Sequence, residues 1–190
     1  MKLTVQSNND QEMGFTLSDA TVSFANLVRR YVINSVPVFA IGEVSIYENN
    51  SSFFDEYITH RLGLIPLSTP AKAKVGEDVT FMLDVEGPNM IYAESLKSTD
   101  KNVVPVYPNT PIVKLLDDQN IRMECKAVLA TGRRHARHQP GVIAYENDDG
   151  KFKFILESYG QMPAETILKK ALDKIKESAE EIESELKKSE

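Results

Sequence analysis

The sequence predicts an α+β protein in which a discontinuous domain, an antiparallel sheet with two long helices, is interrupted by a β-rich insert. Both ends of the chain combine strand alternation with a helical apolar repeat. The stretch from about Ser68 to Gly150 has short alternating runs and turn residues but no helical repeat. Strand and helix at the two ends would therefore join, with the middle emerging between them.

The elements follow in order. Leu3 and Val5 alternate with polar neighbours, Ser7-Asn8-Asn9-Asp10 supply a turn, and Met13, Phe15 and Leu17 alternate again, which reads as a hairpin. Ser18 and Asp19 are candidate N-caps. Phe24, Leu27, Val28, Tyr31 and Val32 then recur at helical spacing until Pro37 stops the helix. Val38, Ala40, Val44 and Ile46 read as one face of a strand. Asn49-Asn50-Ser51-Ser52 breaks it and can cap a short helix from about Phe53 to Arg61, with Gly63 as its stop.

In the middle, Val79, Phe81, Leu83 and Val85 alternate cleanly and Gly87-Pro88-Asn89 is a turn. Ile112 to Leu115 and Ile121 to Leu129 read as further strands, and Asn147-Asp148-Asp149-Gly150 closes the module. Phe152, Phe154 and Leu156 give a last strand. Pro163 then stands in the first turn of a long helix, where its missing N–H costs nothing. Leu168, Leu172, Ile175, Ala179, Ile182 and Leu186 follow at alternating steps of four and three, a heptad seam. Glu165–Lys169 and Glu183–Lys187 solvate the other side. The expected division is residues 1–50 plus 151–190 against residues 51–150.

Composition narrows the function. The chain is 42% hydrophobic and 26% charged with a net charge of −6, ordinary for a globular protein. No third of it is basic overall, so a broad nucleic-acid-binding face is not indicated. No apolar stretch is long enough to span a bilayer and the N-terminus lacks a signal-peptide core, so the expected location is cytoplasmic, with no membrane partner. A single cysteine, Cys125, excludes an internal disulfide and any multi-cysteine metal or iron–sulfur site of this chain. It shares the apolar face of its strand and reads as an inert core thiol.

No paired-carboxylate site, phosphate loop or Ser/His/Asp arrangement stands out, so the expected catalytic, cofactor and metal residues are none. His135 and His138 are three apart, but Pro140 and Gly141 make their segment a loop rather than a ligand-bearing helix. That loop also holds Arg133, Arg134 and Arg137, the basic cluster of the chain, and it has no aromatic residue for base stacking. Arg29 and Arg30 sit mid-helix, about 100° apart, so they cannot share one environment.

Four strings in order along the chain carry a resemblance: FANLVRRYVINSVP, DEYITHRLGLIPL, VYPNTPIVKL and ESYGQMPAETILKKAL. Together they resemble the D subunit of archaeal DNA-directed RNA polymerase. That family is similar to the third-largest subunit of eukaryotic RNA polymerase II and to the N-terminal domain of the bacterial alpha subunit. The resemblance implies a dimerisation domain (residues 1–50 plus 151–190) interrupted by an insert domain (residues 51–150). It implies a non-catalytic assembly platform for transcription. The chain would pair with the smaller subunit L, dock the two largest subunits and small subunits N and P, and meet DNA only indirectly through the complex. Enzyme activity would belong to the whole polymerase. Many relatives carry a cysteine-rich iron–sulfur domain; one cysteine cannot hold such a cluster, so no cofactor is expected.

Residues follow from this. Phe24, Leu27, Val28 and Tyr31, with Leu168, Leu172, Ile175, Ala179 and Ile182, are the expected heterodimer interface. Arg29, Arg30, His60, Arg61, Arg133 and Arg134 are the expected large-subunit contacts. The competing readings are a free-standing homodimeric enzyme or ligand-binding protein, with the helices covering its own sheet, and an autonomous nucleic-acid binder.

Overall fold

The structure is a computed structural model that describes residues 1–188. In chain order its elements are β1 (Lys2–Asn8), β2 (Glu12–Ser18), α1 (Val22–Ser35), β3 (Val38–Asn49), α2 (Asp55–Gly63), β4 (Asp78–Glu86), β5 (Asn89–Tyr92), β6 (Lys97–Ser98), β7 (Pro111–Leu115), β8 (Asn120–Ala130), β9 (Gly141–Asp148), β10 (Lys151–Ser158) and α3 (Ala164–Lys188). Spatially these form two units. Unit 1 is Met1–Pro37 with Thr131 onward, and unit 2 is Val38–Ala130. The α+β class and the discontinuous organisation are as the sequence implied. The divides, however, fall at Pro37/Val38 and Ala130/Thr131 rather than at residues 50 and 150. Pairing explains the shift: β3 is the antiparallel partner of β8, and β9 is that of β10. A turn marks where the chain reverses, which is not always where it changes unit.

Unit 1 is one antiparallel sheet, in the order β1-β2-β10-β9, with α1 and α3 packed on it and on each other. The alternation of β2 and β10 decides which face is covered. Met13, Phe15 and Leu17 pair across with Leu156, Phe154 and Phe152, and all six are buried. The Phe15 and Phe154 rings stack at 4.7 Å. Burying such a side chain contributes roughly 1.5–3 kcal/mol. From α1, Ala25, Val28, Val32 and Ser35 reach inward at steps of three and four. Its N-cap is Thr21, whose hydroxyl accepts from the Phe24 amide at 3.2 Å. Ser18 and Asp19, the caps expected from sequence, lie before it; Asp19 adopts φ 56°, a turn conformation.

In α3 the buried residues are Ala164, Ile167, Leu168 and Ala171, all in its first turns. Beyond Ala171 none of its described residues is buried. The helix has 25 residues, about 37 Å, so most of its length extends past the part anchored on the sheet.

Unit 2 holds a second antiparallel sheet, β3-β8-β4-β6, and the ribbon β5-β7. Its core joins Phe39 and Ile41 of β3 to Ile58 and Leu62 of α2 and to Phe81, Leu83, Met123 and Cys125 of the central strands. Val44 and Ile46 pack against the same core. The single even-numbered face expected for β3 is therefore replaced. A register shift between Ile41 and Glu43 changes the inward parity from odd to even residues. The helix expected to start at Phe53 starts at Asp55, and Phe54 stands at its N-cap without a side-chain cap bond. Its last residue is Gly63, and the Leu64 that follows keeps a right-handed helical conformation.

Cys125 is fully buried, and burial, with the neighbouring Glu124 charge, pushes its thiol up to about 12. The folded chain should therefore resist a thiol-reactive dye at pH 8 and react once unfolded in urea. Because the folded value lies above the unfolded value of 9.0, the unfolded thiol ionises first as pH rises. This contribution to stability is complete below about pH 9 and falls towards pH 12, by at most about 1.4 kcal/mol per pH unit. Rapid labelling of the native chain at pH 8 would contradict the burial.

Candidate interaction surfaces

The heptad residues of α3 grade outward along the helix. Leu168 is 4% exposed and Leu172 is 38% exposed, while Ile182 and Leu186 reach 64% and 62%. Ile175 is half-buried and Ala179 exposed. On α1, Val28 is buried, Phe24 and Tyr31 are half-buried, and Leu27 is exposed. The Tyr31 hydroxyl and the Ser178 Oγ lie 3.2 Å apart and tie the two helices together. Val28 and Leu168, placed with the interface residues from sequence, are thus covered by this chain itself. Leu27, Leu172, Ile175, Ala179 and Ile182 leave apolar surface open.

The polar side of α3 carries exposed ion pairs, Lys174–Glu177, Lys176–Glu180, Lys187–Glu183 and Lys188–Glu185. At its start, Glu165 receives Lys169 and the Asn8 amide. Lys169, then Asn8, hold the Glu165 carboxyl below its ordinary value. The sequence reading missed a second apolar surface. Leu3 and Val5 pair with Leu17 and Phe15 on the covered face of the sheet, yet they are 44% and 47% exposed. Their alternation showed a strand; it could not show that the helices stop short of the sheet edge.

The arginines differ from one another. Arg29 donates from Nη2 and Nε to the Asn26 Oδ1 at 2.9 and 3.3 Å. Arg30 is exposed. The pair occupies two environments, as helical geometry requires. Arg133 and Arg134 are exposed. Among the described residues no carboxylate lies within ion-pair distance of Arg30, Arg133 or Arg134. The turn bearing Arg133 is pressed onto the end of α1. A Cβ on Gly132 would lie 2.4 Å from the Ile33 carbonyl oxygen, so only glycine permits the approach. The Arg133 amide donates to the Asn34 carbonyl at 3.2 Å, and its guanidinium sits 5.9 Å from the Tyr31 ring centre. Nothing in the linear sequence pointed to this meeting of loop and helix.

Unit 2 carries the other two expected contacts. His60 is exposed, but Arg61 is engaged within its own unit. Its Nη1 donates to the Tyr57 hydroxyl at 3.2 Å, its Nη2 to the Pro111 carbonyl, and its head lies 5.7 Å from the Tyr57 ring centre. Arg61 therefore ties α2 to β7 rather than standing open. His135, considered as a ligand, accepts from the Arg137 amide and Nε through Nδ1, and His138 is buried. Among the described residues no three His, Cys, Asp or Glu side chains gather as a metal site. No described helix is long and apolar enough to cross a membrane.

Known proteins are similar to this chain in sequence. Residues 44–147 match the family described as the RNA polymerase Rpb3/RpoA insert domain. The chain is 43% identical over 171 residues to DNA-directed RNA polymerase subunit Rpo3 of Methanocaldococcus jannaschii, covering 90% of this chain and 87% of that one. It is 39% identical over 193 residues to the Rpo3 of Pyrococcus furiosus, covering 98% and 72%. Against the Rpo3 of Halobacterium salinarum it is 34% identical over 230 positions, covering 92% and 93%. That alignment exceeds the 190 residues of this chain, so the Halobacterium relative has inserted segments without a counterpart here.

The two classes of arginine should separate on mutation. Arg61→Ala should lower the stability of unit 2 by about 1–3 kcal/mol, because it removes two charge-assisted hydrogen bonds and the contact of its head with the Tyr57 ring. Arg30→Ala should stay within about 0.5 kcal/mol of the parent. Urea denaturation of the two variants decides it, and equal losses would show the distinction to be false.

Proposed function

This chain belongs to the Rpo3 family of DNA-directed RNA polymerase subunits, and on that premise we propose that it is the non-catalytic assembly platform of its polymerase. The family makes it a subunit for transcription that works with other polymerase subunits. In the finer reading it pairs with the smaller alpha-like subunit L and then docks the two largest subunits, with N and P beside them. Nucleotide chemistry and contact with DNA belong to the larger chains, and the assembly works in the cytoplasm.

The observation that carries the pairing is the uncovered stretch of α3. Leu172 and Ile182 repeat in heptad register on a helix whose opposite side is already solvated by ion pairs. A second amphipathic helix laid along that seam would bury them, together with Ile175 and Ala179. Leu27 of α1, and Leu3 and Val5 at the sheet edge, add apolar surface of the same kind. The docking of large subunits is supported by Arg30, Arg133 and Arg134, exposed cations without a carboxylate among the described residues.

Affinity purification of this chain from its native cell should recover the two largest polymerase subunits together with a small partner. Their absence would refute the platform reading. Leu172→Asp with Ile182→Asp should weaken pairing with the small partner by about 100-fold or more. The same variant should leave the circular dichroism of the chain intact, since both residues are already exposed. Undiminished pairing would remove the seam from the interface. Recovery of a second copy of this chain instead of a small partner would favour the homodimeric alternative.

A further inference from the structure

We propose that, before it meets its small partner, this chain pairs with a second copy of itself through the distal part of α3. The two helices lie antiparallel, with the twofold axis at the level of Glu177. The self-pair follows from the pattern of this helix alone. Its role as a holding form, covering the seam until the small partner displaces it, rests on the platform reading.

The seam matches itself when one helix is reversed. Leu172 of one copy falls opposite Ile182 of the other, and Ile175 opposite Ala179, each layer occurring twice. Leu172, Ala179 and Ile182 are exposed and Ile175 is half-buried, so all four have surface to cover. Large meets small in the second layer, which suits close packing. A parallel pair would set Ala179 on Ala179 and leave a void. It would also bring two sheets together at one end, because the first turns of each helix are seated on a sheet. Reversal carries the sheets to opposite ends.

Charge selects the register. One flank of the seam is occupied by α1, where Tyr31 reaches Ser178. The other flank carries Lys169, Lys176 and Glu183 at heptad spacing. In the register above, Lys169 lies beside Glu183 of the second copy, twice per pair. Both side chains are exposed, and each can serve a second partner beside its own Glu165 or Lys187. The two Lys176 side chains meet at the axis, each already paired with Glu180 of its own helix at 3.7 Å. Slipping one heptad towards the N-terminus would set Lys169 against Lys176. Slipping one heptad the other way would leave Leu172 with no apolar partner.

The self-pair is weak enough to be displaced. Its layers span about 16 Å of helix, a contact well below the roughly 1,600 Å² of a standard stable interface. Leu27, Leu3 and Val5 lie outside these layers and stay open. A partner that covers them as well as the seam buries more and wins.

Sedimentation equilibrium of the purified full chain should show a monomer and a dimer, with a dissociation constant of roughly 10–100 µM, tighter at low salt. A monomer alone at up to about 1 mM overturns the proposal. Lys169→Glu or Glu183→Lys should each weaken self-association by about tenfold, and the two together should restore it. The double variant loses both intrahelical pairs, so its recovery can come only from the contact between copies. Single variants at parental strength, or a double variant no better than the singles, overturn the register. Lys176→Cys with a short bis-maleimide should lock the dimer through position 176, since the native Cys125 is buried. The locked dimer should no longer take up the small partner purified from the native polymerase. Uptake at parental strength would overturn the holding role. A native polymerase without any small partner would instead refute the platform reading and leave the self-pair standing.

Discussion

The pairing of β2 with β10 is the contact on which unit 1 depends. It joins the two ends of the chain, residue for residue from Glu12 against Glu157 to Ser18 against Lys151. It brings Phe15 onto Phe154 and so builds the apolar floor that α1 and α3 cover. Without it β1 would have no sheet to join, and α3 would have no surface under Leu168 and Ala171. The cost of closing so long an excursion grows only slowly with its length, by about 0.6 kcal/mol per doubling. A whole unit of structure can therefore stand between the two strands. Its own core, from Phe39 through Cys125 to Leu129, is complete within residues 38–130.

Much of this was legible because the signals are local. Hairpin, proline stop and heptad repeat each follow from residues within a turn or two of one another, and all appear where expected. What was not legible depends on contacts between distant segments. The acidic turn at Asn147–Gly150 looked like the end of the insert, but it links β9 to β10 inside unit 1. The family match ends at residue 147, also within β9, so similarity along the chain follows continuity rather than pairing. In β3 the even-numbered apolar residues suggested one face. The irregularity near Gly42 moves the inward set to Phe39, Ile41, Val44 and Ile46. Apolar residues of both parities let that strand tolerate the change; a strictly alternating one would have lost half its burial.

The site residues divide in the same way. The exposure of Leu172 and Ile182 could be expected from the heptad outrunning any small sheet. The burial of Val28 and Leu168 in the same stripes could not, because a helical face does not announce where cover ends. Arg30 and Arg61 look alike in sequence, each preceding an apolar run. One stands open while the other joins α2 to β7 through Pro111 and Tyr57. Gly132 carries no periodic signal at all. Its meaning appears only when the Ile33 carbonyl is found where a side chain would be.

The distal part of α3 raises a physical question, since a helix lacking a packed face is marginal in water. Two features hold it. Its first turns are anchored through Ala164, Ile167, Leu168 and Ala171, so the costly nucleation step is already met by the sheet. Propagation then proceeds along a segment whose exposed ion pairs at three- and four-residue spacing each contribute about 0.2–0.5 kcal/mol, less in salt. Their side chains also surround the apolar stripe with charge, which limits unspecific association of Ile182 and its neighbours. A partner helix would then meet a stripe already ordered, and its binding energy would not be consumed in forming the helix. Arg133 is prepared by a different means, its turn seated on α1 at Gly132 and its guanidinium set beside the Tyr31 ring. Both surfaces put preorganisation into the isolated chain, one through helix propagation and the other through close backbone packing.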